Sequence, residues 1–200
     1  MRAAALIVGI GGWEQYTKPL IDSILFHEPL TQVIVVDNAS AEPYPLNTSG
    51  QIVTARERLC YSAAINLAAS QAHEADWLIV LSNDVICTGR FFRMLKYSPQ
   101  GAVMGPEIQT VRGRWRYVMG WCVVTSRSVW DALQGWDEEY LASSWEDVDF
   151  SQSALERGFD LLQSDFPFTH LDQRQRFSLP EFEGTPEANE RYFRLKHDVH

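Results

Sequence analysis

The stretch WLIVLSNDV, residues 77–85, joins an apolar run to a short polar cluster. Its first five residues are all apolar, which is typical of a strand that is buried on both faces of a sheet. The next three, Ser82, Asn83 and Asp84, all carry oxygen-bearing side chains. Such a cluster at the end of a buried strand either forms a turn or binds a charged group.

Two earlier runs, Ala3–Ile10 and Gln32–Val36, have the same apolar character, and apolar residues at helical spacing fill Gln15–Phe26 and Tyr61–His73. Buried strands that alternate with helices predict an α/β fold with a mostly parallel central sheet flanked by helices. Ligands bind such sheets beyond the carboxyl ends of the strands. We therefore expect these ends to converge; they carry Gly9, Asp37, Asn38, Asn83 and Asp84.

Periodicity and end signals predict the remaining elements. The strongest is a helix over Ser143–Gly158, with carboxylates in its first turn and Gly158 as its terminator. The others are strands at Gln51–Thr54 and Val103–Gly105, helices from Thr88 to Tyr97 and from Ser126 to Leu133, and a surface helix over Thr185–Lys196. The region Arg112–Arg116 is interpreted as a basic patch around Trp115.

Composition limits the class of protein. The 200 residues fit one domain, and the net charge of −9 argues against binding nucleic acid or an anionic membrane surface. No apolar run approaches the length of a transmembrane segment. The apolar N-terminus resembles a weak signal peptide, but a helical pattern follows it without a cleavage site, so we predict a core strand. The cysteines make no disulfide framework and indicate core thiols in a cytoplasmic protein; they are Cys60, Cys87 and Cys122.

Five blocks of the sequence resemble, in the same order, the successive blocks of family 2 glycosyltransferases. They are VIVVDNAS (33–40), YSAAINLA (61–68), VLSNDV (80–85), GWCVVTSRSVWDALQGWDEEY (120–140) and WEDVDF (145–150). Each block alone is weak, and their common order carries the resemblance. It implies a GT-A fold with a Rossmann-like nucleotide-sugar-binding half at about 1–105, an acceptor and catalytic half at about 106–180, and a C-terminal helix at 185–200.

The resemblance implies that Asp37 contacts the nucleoside as an exposed acceptor, with Asn38 beside it; an Asx-turn is the alternative for both residues. Asn66 would support the donor loop. Gly120 would bring the backbone close to the donor sugar, unless it only forms a turn.

The polar cluster of the opening stretch lies where the family carries an acidic motif that holds Mn²⁺ or Mg²⁺. Here Ser82 replaces the first acid, so Asp84 is the acidic ligand, and the resemblance implies His170 as a second ligand. Substrate phosphates and water fill the other positions in sites of this kind. A polar turn for residues 82–84 and a structural role for His170 are the alternatives. Whether the metal is essential stays open.

In the WEDVDF block, the resemblance implies that Asp147 is the general base and that Glu146 orients the acceptor. The alternative for Asp147 is a capping box with Ser144. Trp145 either stacks on a sugar or packs in the core.

These observations predict an inverting glycosyltransferase that moves a sugar from a nucleotide-diphosphate sugar to the hydroxyl of a saccharide or glycan precursor. A UDP-sugar is the first expectation, followed by dTDP- and GDP-sugars. Two alternatives remain. One is a sugar nucleotidyltransferase, against which the lack of basic residues after Gly11-Gly12 counts. The other is a degenerate nucleotide-sugar-binding module, which Ser82 keeps open.

Overall fold

A seven-stranded sheet runs through the computed structural model, which describes residues 1–171 and 183–197. The strands are β1 Ala3–Gly9, β2 Gln32–Asp37, β3 Gln51–Thr54, β4 Trp77–Ser82, β5 Val85–Cys87, β6 Ala102–Gly105, β7 Ile108–Val111, β8 Trp115–Val118, β9 Cys122–Ser126, β10 Asp160–Gln163 and β11 Phe168–His170. The helices are α1 Lys18–His27, α2 Tyr61–Ser70, α3 Phe92–Tyr97, α4 Arg127–Leu133, α5 Glu146–Glu156 and α6 Thr185–His197.

The sheet has the strand order β10-β6-β9-β4-β1-β2-β3. In the described chain, β9 runs antiparallel to β4 and β6, and the other strands share one direction. The predicted α/β fold with a mostly parallel sheet is therefore confirmed. The antiparallel direction of β9 was not predicted, because an apolar run does not reveal which way a strand points.

The register of β1 with its neighbours aligns their carboxyl ends. Gly9 pairs with Asp37 on β2, and Val8 pairs with Ser82 on β4. Alternate residues of β1 enter two separate cores, with Leu6 facing the side of α2 and Ile7 facing the side of α1. Burial on both faces explains why these strands are apolar throughout.

Two predicted helix starts are wrong. A π-helical turn occupies Trp13–Thr17, so α1 begins at Lys18 rather than at residue 15. Helix α3 begins at Phe92, and Thr88 does not cap it, because the Thr88 hydroxyl donates to the Pro167 carbonyl (3.1 Å). The buried Glu28 carboxylate caps α3 instead, because it accepts hydrogen bonds from the amides of Phe91 and Phe92, both at 3.0 Å.

Two short ribbons stand beside the main sheet. Strands β7 and β8 form a hairpin whose turn contains Arg112 and Gly113, both with positive φ. The basic residues predicted as a patch, Arg112–Arg116, thus lie in this turn and in β8. Strands β5 and β11 pair antiparallel, with Val85 opposite His170. This second ribbon brings His170 beside the end of β4.

Helix α6 is docked rather than superficial, which corrects the expectation of a surface helix. Phe193 is fully buried, and its ring lies 5.1 Å from the rings of both Trp115 and Trp145. Asn189, one turn earlier, is also buried. The helix therefore holds β8 and the start of α5 together.

The three thiols are free, and two of them, Cys87 and Cys122, are buried as predicted. Cys60 is only half-buried, and its Sγ accepts from the Ala63 amide at 3.4 Å, so it caps α2 instead of filling the core. Across residues 1–171 and 183–197, the helices are too short or too polar to cross a bilayer.

Candidate active site

A cleft of about 1250 Å³ opens at the carboxyl ends of β1, β2 and β4. It is large enough for a nucleotide-sized ligand with room to spare. Seven of the residues singled out from the sequence line it: Asn38, Asn83, Asp84, Gly120, Glu146, Asp147 and His170. The polar cluster Ser82–Asp84 after β4 and the WEDVDF block are far apart in the sequence, and the fold brings them to one cavity.

Asp84 and His170 form a pair on one wall of the cleft. The Nε2 atom of His170 lies 3.3 Å from Oδ1 of Asp84, and the two side chains are 29% and 14% exposed. The Leu171 amide donates to the Asp84 carbonyl at 2.9 Å, which continues the β5–β11 pairing. The imidazole also stacks on Trp121, with ring centroids 5.2 Å apart. Backbone pairing and stacking therefore hold both side chains in place.

This pair fits a divalent cation that takes most of its ligands from substrate and water. A carboxylate oxygen and an imidazole nitrogen are both ligands for manganese-type ions, and magnesium sites commonly use one or two carboxylates plus phosphates. Within the described residues, no three His, Cys, Asp or Glu side chains cluster closely enough to hold an ion by themselves. Asn83 contributes an amide nearby, which lies 3.4 Å from Oγ1 of Thr17.

Asp147 lies in the first turn of α5 on another wall of the cleft. Its Oδ2 accepts from the Gly120 amide at 2.9 Å, and its Oδ1 accepts from the Val148 amide at 2.9 Å. A Cβ atom on residue 120 would lie only 3.0 Å from Oδ2 of Asp147. Gly120 therefore makes room for Asp147, and because it also lines the cleft, its approach to a donor sugar stays a prediction.

The capping box expected as the alternative for Asp147 is not formed. Ser144 has φ 107° and makes no cap bond, and the residue before the helix, Trp145, has φ 68°. Ser143 instead donates to Oε1 of Glu146 at 2.7 Å. Glu146 is only 5% exposed although it lines the cleft.

Trp145 is largely a core residue. It is 9% exposed, and its ring packs against Trp115 (6.2 Å) and Phe193 (5.1 Å). These contacts match the packing alternative, and Trp145 also lines the cleft.

Two strand-end residues face their own loop instead of the cleft. The Asp37 carboxylate is fully buried, accepting from the Ser40 amide (3.1 Å) and the Tyr44 amide (2.9 Å). The exposed acceptor expected at Asp37 is therefore wrong, and the Asx-turn alternative describes it. Gly9 leaves room for Tyr44, because a Cβ atom at residue 9 would clash with the Tyr44 hydroxyl.

Two asparagines bind loop backbone through both ends of their amides. Asn38 accepts from the Leu59 amide (2.8 Å) and donates to the Leu59 carbonyl (3.0 Å), so it ties two lining segments together. Asn66 makes the same pair of bonds with Trp136 at 2.9 and 2.7 Å. Asn66 does not line the cleft, and it anchors the loop that follows α4.

The sequence did not predict that α6 contributes to the cleft. Thr185, Pro186, Glu187 and Glu190 line the cleft. Glu190 binds Arg112 through two bonds of 3.0 and 2.7 Å, and hydrogen bonds from Arg112 and Arg194 lower the pKa of its carboxyl. The available signal was the spacing of Thr185, Asn189 and Phe193, which places them on one helical face.

A buried charged cluster joins α6 to α5 behind the cleft. Asp149 accepts from Tyr140 (3.0 Å), from Lys196 (2.9 Å) and from His197 (2.8 Å). Burial, followed by the nearby Asp149 charge, raises the pKa of Tyr140. Burial lowers the pKa of His197, but hydrogen bonds to Asp149 and Glu156 outweigh it, so that pKa lies above its ordinary value.

Solved glycosyltransferases share this architecture. The mannosyltransferase PcManGT from Pyrobaculum calidifontis, in complex with GDP-Man and Mn²⁺, matches with a TM-score of 0.65 and 14% identity over 87% of this chain and 58% of that chain. S. aureus TarS 1-349 in complex with UDP matches with a TM-score of 0.63 and 14% identity over 84% of this chain and 60% of that chain. GalNAc-T7 with UDP, GalNAc and Mn²⁺ matches with a TM-score of 0.63 and 13% identity over 80% of this chain and 42% of that chain.

No protein-family model matches the sequence, and no curated protein matches it either. This chain spans 58% of the PcManGT chain, 60% of the TarS 1-349 chain and 42% of the GalNAc-T7 chain. At such low identity the likeness establishes the fold. The protein has the GT-A-like fold of these glycosyltransferases.

Proposed function

We propose that this protein is an inverting glycosyltransferase that uses a nucleotide-diphosphate sugar and a divalent metal ion. The observation that carries the proposal is the shared cleft, in which the Asp84–His170 pair and the Asp147 carboxylate face one cavity at the strand ends. The structural neighbours, captured with UDP or with GDP-Man and Mn²⁺, support a donor of this class.

The two walls of the cleft receive different parts of the reaction. Asp84 and His170 would hold Mn²⁺ or Mg²⁺, and such an ion neutralises charge on a leaving diphosphate. Asn38 and Asn83 line the nucleotide side, in the half made by residues 1–105. We assign a UDP-sugar as the first candidate donor.

Asp147 is the general base in this proposal. Two backbone amides orient its carboxylate, one from Gly120 and one from its own helix. As the acceptor oxygen forms a bond to the anomeric carbon, the bond from that carbon to the diphosphate breaks and the hydroxyl proton passes to Asp147. A single base opposite the leaving group gives inversion, and such a base contributes about 10²–10⁴-fold to the rate.

Glu146 positions the acceptor in this scheme, because it lines the cleft beside Asp147 while Ser143 fixes one of its oxygens. The acceptor is a saccharide or a related hydroxyl compound. The three free thiols support a reducing, cytoplasmic setting.

A donor-turnover assay tests the proposal. The protein is incubated with Mn²⁺ and UDP-, GDP- or dTDP-sugars, with and without simple saccharide acceptors. Release of the nucleoside diphosphate, accelerated by an acceptor, is the expected result. Pyrophosphate release would indicate a nucleotidyltransferase instead, and tight nucleotide binding without turnover would indicate a binding module.

A thermal-shift panel identifies the base. UDP, GDP, dTDP and CDP are compared with and without Mn²⁺, since a ligand that binds only the folded state raises Tm. The largest Mn²⁺-dependent increase is expected for UDP. An equal response to all four nucleotides would contradict the assignment of UDP.

A further inference from the structure

The loop that leads into Glu146 and Asp147 has a strained backbone. Ala142, Ser144 and Trp145 have φ values of 44°, 107° and 68°. Non-glycine residues rarely adopt such φ values, and they keep them only when their surroundings impose the conformation. The segment 141–145 therefore needs external support.

Asn189 of α6 supplies that support with three hydrogen bonds. Its Oδ1 accepts from the Leu141 amide, and its Nδ2 donates to the carbonyls of Leu141 and Ser144, all at 2.9 Å. The side chain is 1% exposed, so water does not compete for these bonds. One buried amide thus bridges the strained segment from its first residue to the fourth.

The position of Asn189 is itself fixed. Phe193, one turn later on α6, is fully buried against Trp115 and Trp145. A second tie comes from α2, whose Tyr61 amide donates to the Ala142 carbonyl at 2.7 Å. The loop is consequently held between two helices.

The position of Asp147 depends on the segment 141–145, because that segment leads directly into α5. The Ser144 carbonyl that Asn189 binds is separated from Asp147 by two residues. Asp147 must also keep its 2.9 Å hydrogen bond from the Gly120 amide. A displacement of about 1 Å in a reacting group can cost 10²-fold in rate.

We propose that Asn189 is a positioning residue for sugar transfer: it holds the segment 141–145 in the strained conformation that presents Asp147 to the cleft. The inference rests on the proposed function. Asn189 does not line the cleft, so its effect passes through the backbone of the loop.

The test compares Asn189→Leu with Asn66→Leu. Both changes replace a clamping amide by an apolar side chain of similar size, and both leave backbone groups without a partner. Asn66 binds the backbone of Trp136, outside the cleft, and so provides a matched control. Asn189→Ser is a milder second variant in case Asn189→Leu does not fold.

Three measurements are made on each variant: amide hydrogen exchange, the Kd for UDP with Mn²⁺, and kcat for nucleotide release. For Asn189→Leu we expect exchange in residues 141–148 to rise at least about tenfold, kcat to fall about 10–100-fold, and Kd to change by less than about threefold. For Asn66→Leu we expect the exchange increase at residues 135–138 and a smaller loss of kcat.

Unchanged exchange at 141–148, or unchanged kcat in a folded Asn189 variant, would overturn the inference. An equal loss of nucleotide affinity would also overturn it, since that indicates a general structural effect. The wild-type protein is assayed first. If it releases no nucleotide from any donor, the proposed function has failed, whereas the exchange experiment still decides whether Asn189 holds the loop.

Discussion

The Asp84 wall and the Asp147 wall of the cleft are built by different means. Asp84 follows β4, which is paired along both edges, to β1 and to β9. His170 ends β11 and pairs opposite Val85. Backbone pairing therefore positions the Asp84 wall, and stacking on Trp121 adds support for His170.

The Asp147 wall depends on side chains from elsewhere in the chain. Its loop adopts positive φ at three non-glycine residues, and Asn189 holds it from the last helix. Helix α6 is in turn held by Phe193 and by the buried cluster around Asp149. We therefore expect the Asp147 wall to be more sensitive than the Asp84 wall to changes far from the cleft.

Asp147→Asn is expected to have the largest effect. Removal of the proposed base lowers kcat for transfer by about 10²–10⁴-fold. The amide keeps an oxygen for one of the two backbone donors, so the protein stays folded. The Kd for UDP with Mn²⁺ should not change, because the base belongs to the other wall. Kinetics of acceptor-dependent nucleotide release and circular dichroism measure these quantities.

Asp131→Asn is the control for this change, since the Asp131 side chain is 64% exposed on α4 and is not among the cleft residues. Near-normal turnover of Asp147→Asn would contradict the base assignment. A loss confined to nucleotide binding would place Asp147 on the donor side and remove the distinction between the walls.

Asp84→Asn is expected to have the next largest effect. The change weakens the proposed ion ligand while the backbone of β4 and β5 stays paired. We expect the gain in UDP affinity that Mn²⁺ provides to fall about tenfold or more, with a smaller fall for His170→Gln. Calorimetric titration of UDP with and without Mn²⁺ measures this gain.

His73→Gln is the control for these two changes, because His73 is exposed and lies away from the cleft. Retention of the full Mn²⁺ effect in Asp84→Asn would refute a metal site at this wall. Greater hydrogen exchange at residues 141–148 in this variant would contradict the independence of the two walls.

The sequence predicts the Asp84 wall well, for a physical reason. Strands that are buried on both faces must be apolar throughout, and parallel strands align their carboxyl ends, so the position of Asp84 follows from a simple pattern. His170 is different, because a strand of three residues leaves no periodic signal. Only the resemblance to a family suggested its place.

The sequence predicts much less where a side chain binds its own backbone. Asp37 lies at a strand end like Asp84, yet it turns inward to hold the loop to Tyr44. Ser144 has the spacing of a capping box with Asp147, but its φ of 107° prevents the cap. Asn189 carries no motif, and its function depends on a loop that is distant in sequence. Such interactions depend on tertiary contacts that local patterns do not encode.

The smallest predicted effect concerns the attachment of α6 at His197. Both ring nitrogens contact carboxylates, at 2.8 Å to Asp149 and 2.7 Å to Glu156, an arrangement that favours the protonated ring, in which both nitrogens can donate. Since the folded-state pKa of His197 is raised above 6.5, its stabilisation is present below that pH and is lost as the pH rises through the raised pKa. We expect the Tm of the wild-type protein to exceed that of His197→Gln by about 2–4 °C near pH 6.

Thermal unfolding of both proteins between about pH 6 and pH 9 checks this expectation, because the difference in Tm should shrink as His197 loses its proton. His73→Gln is the control variant, because His73 is exposed and lies away from α6. Hydrogen exchange shows which residues loosen. Weaker docking of α6 should increase exchange in residues 141–148 as the pH rises, while β1 and β4 stay protected. Equal loosening of residues 141–148 and of β1 and β4 would mean that the two walls unfold as one unit. The strand pairing around β4 would then depend on α6 as much as the loop does.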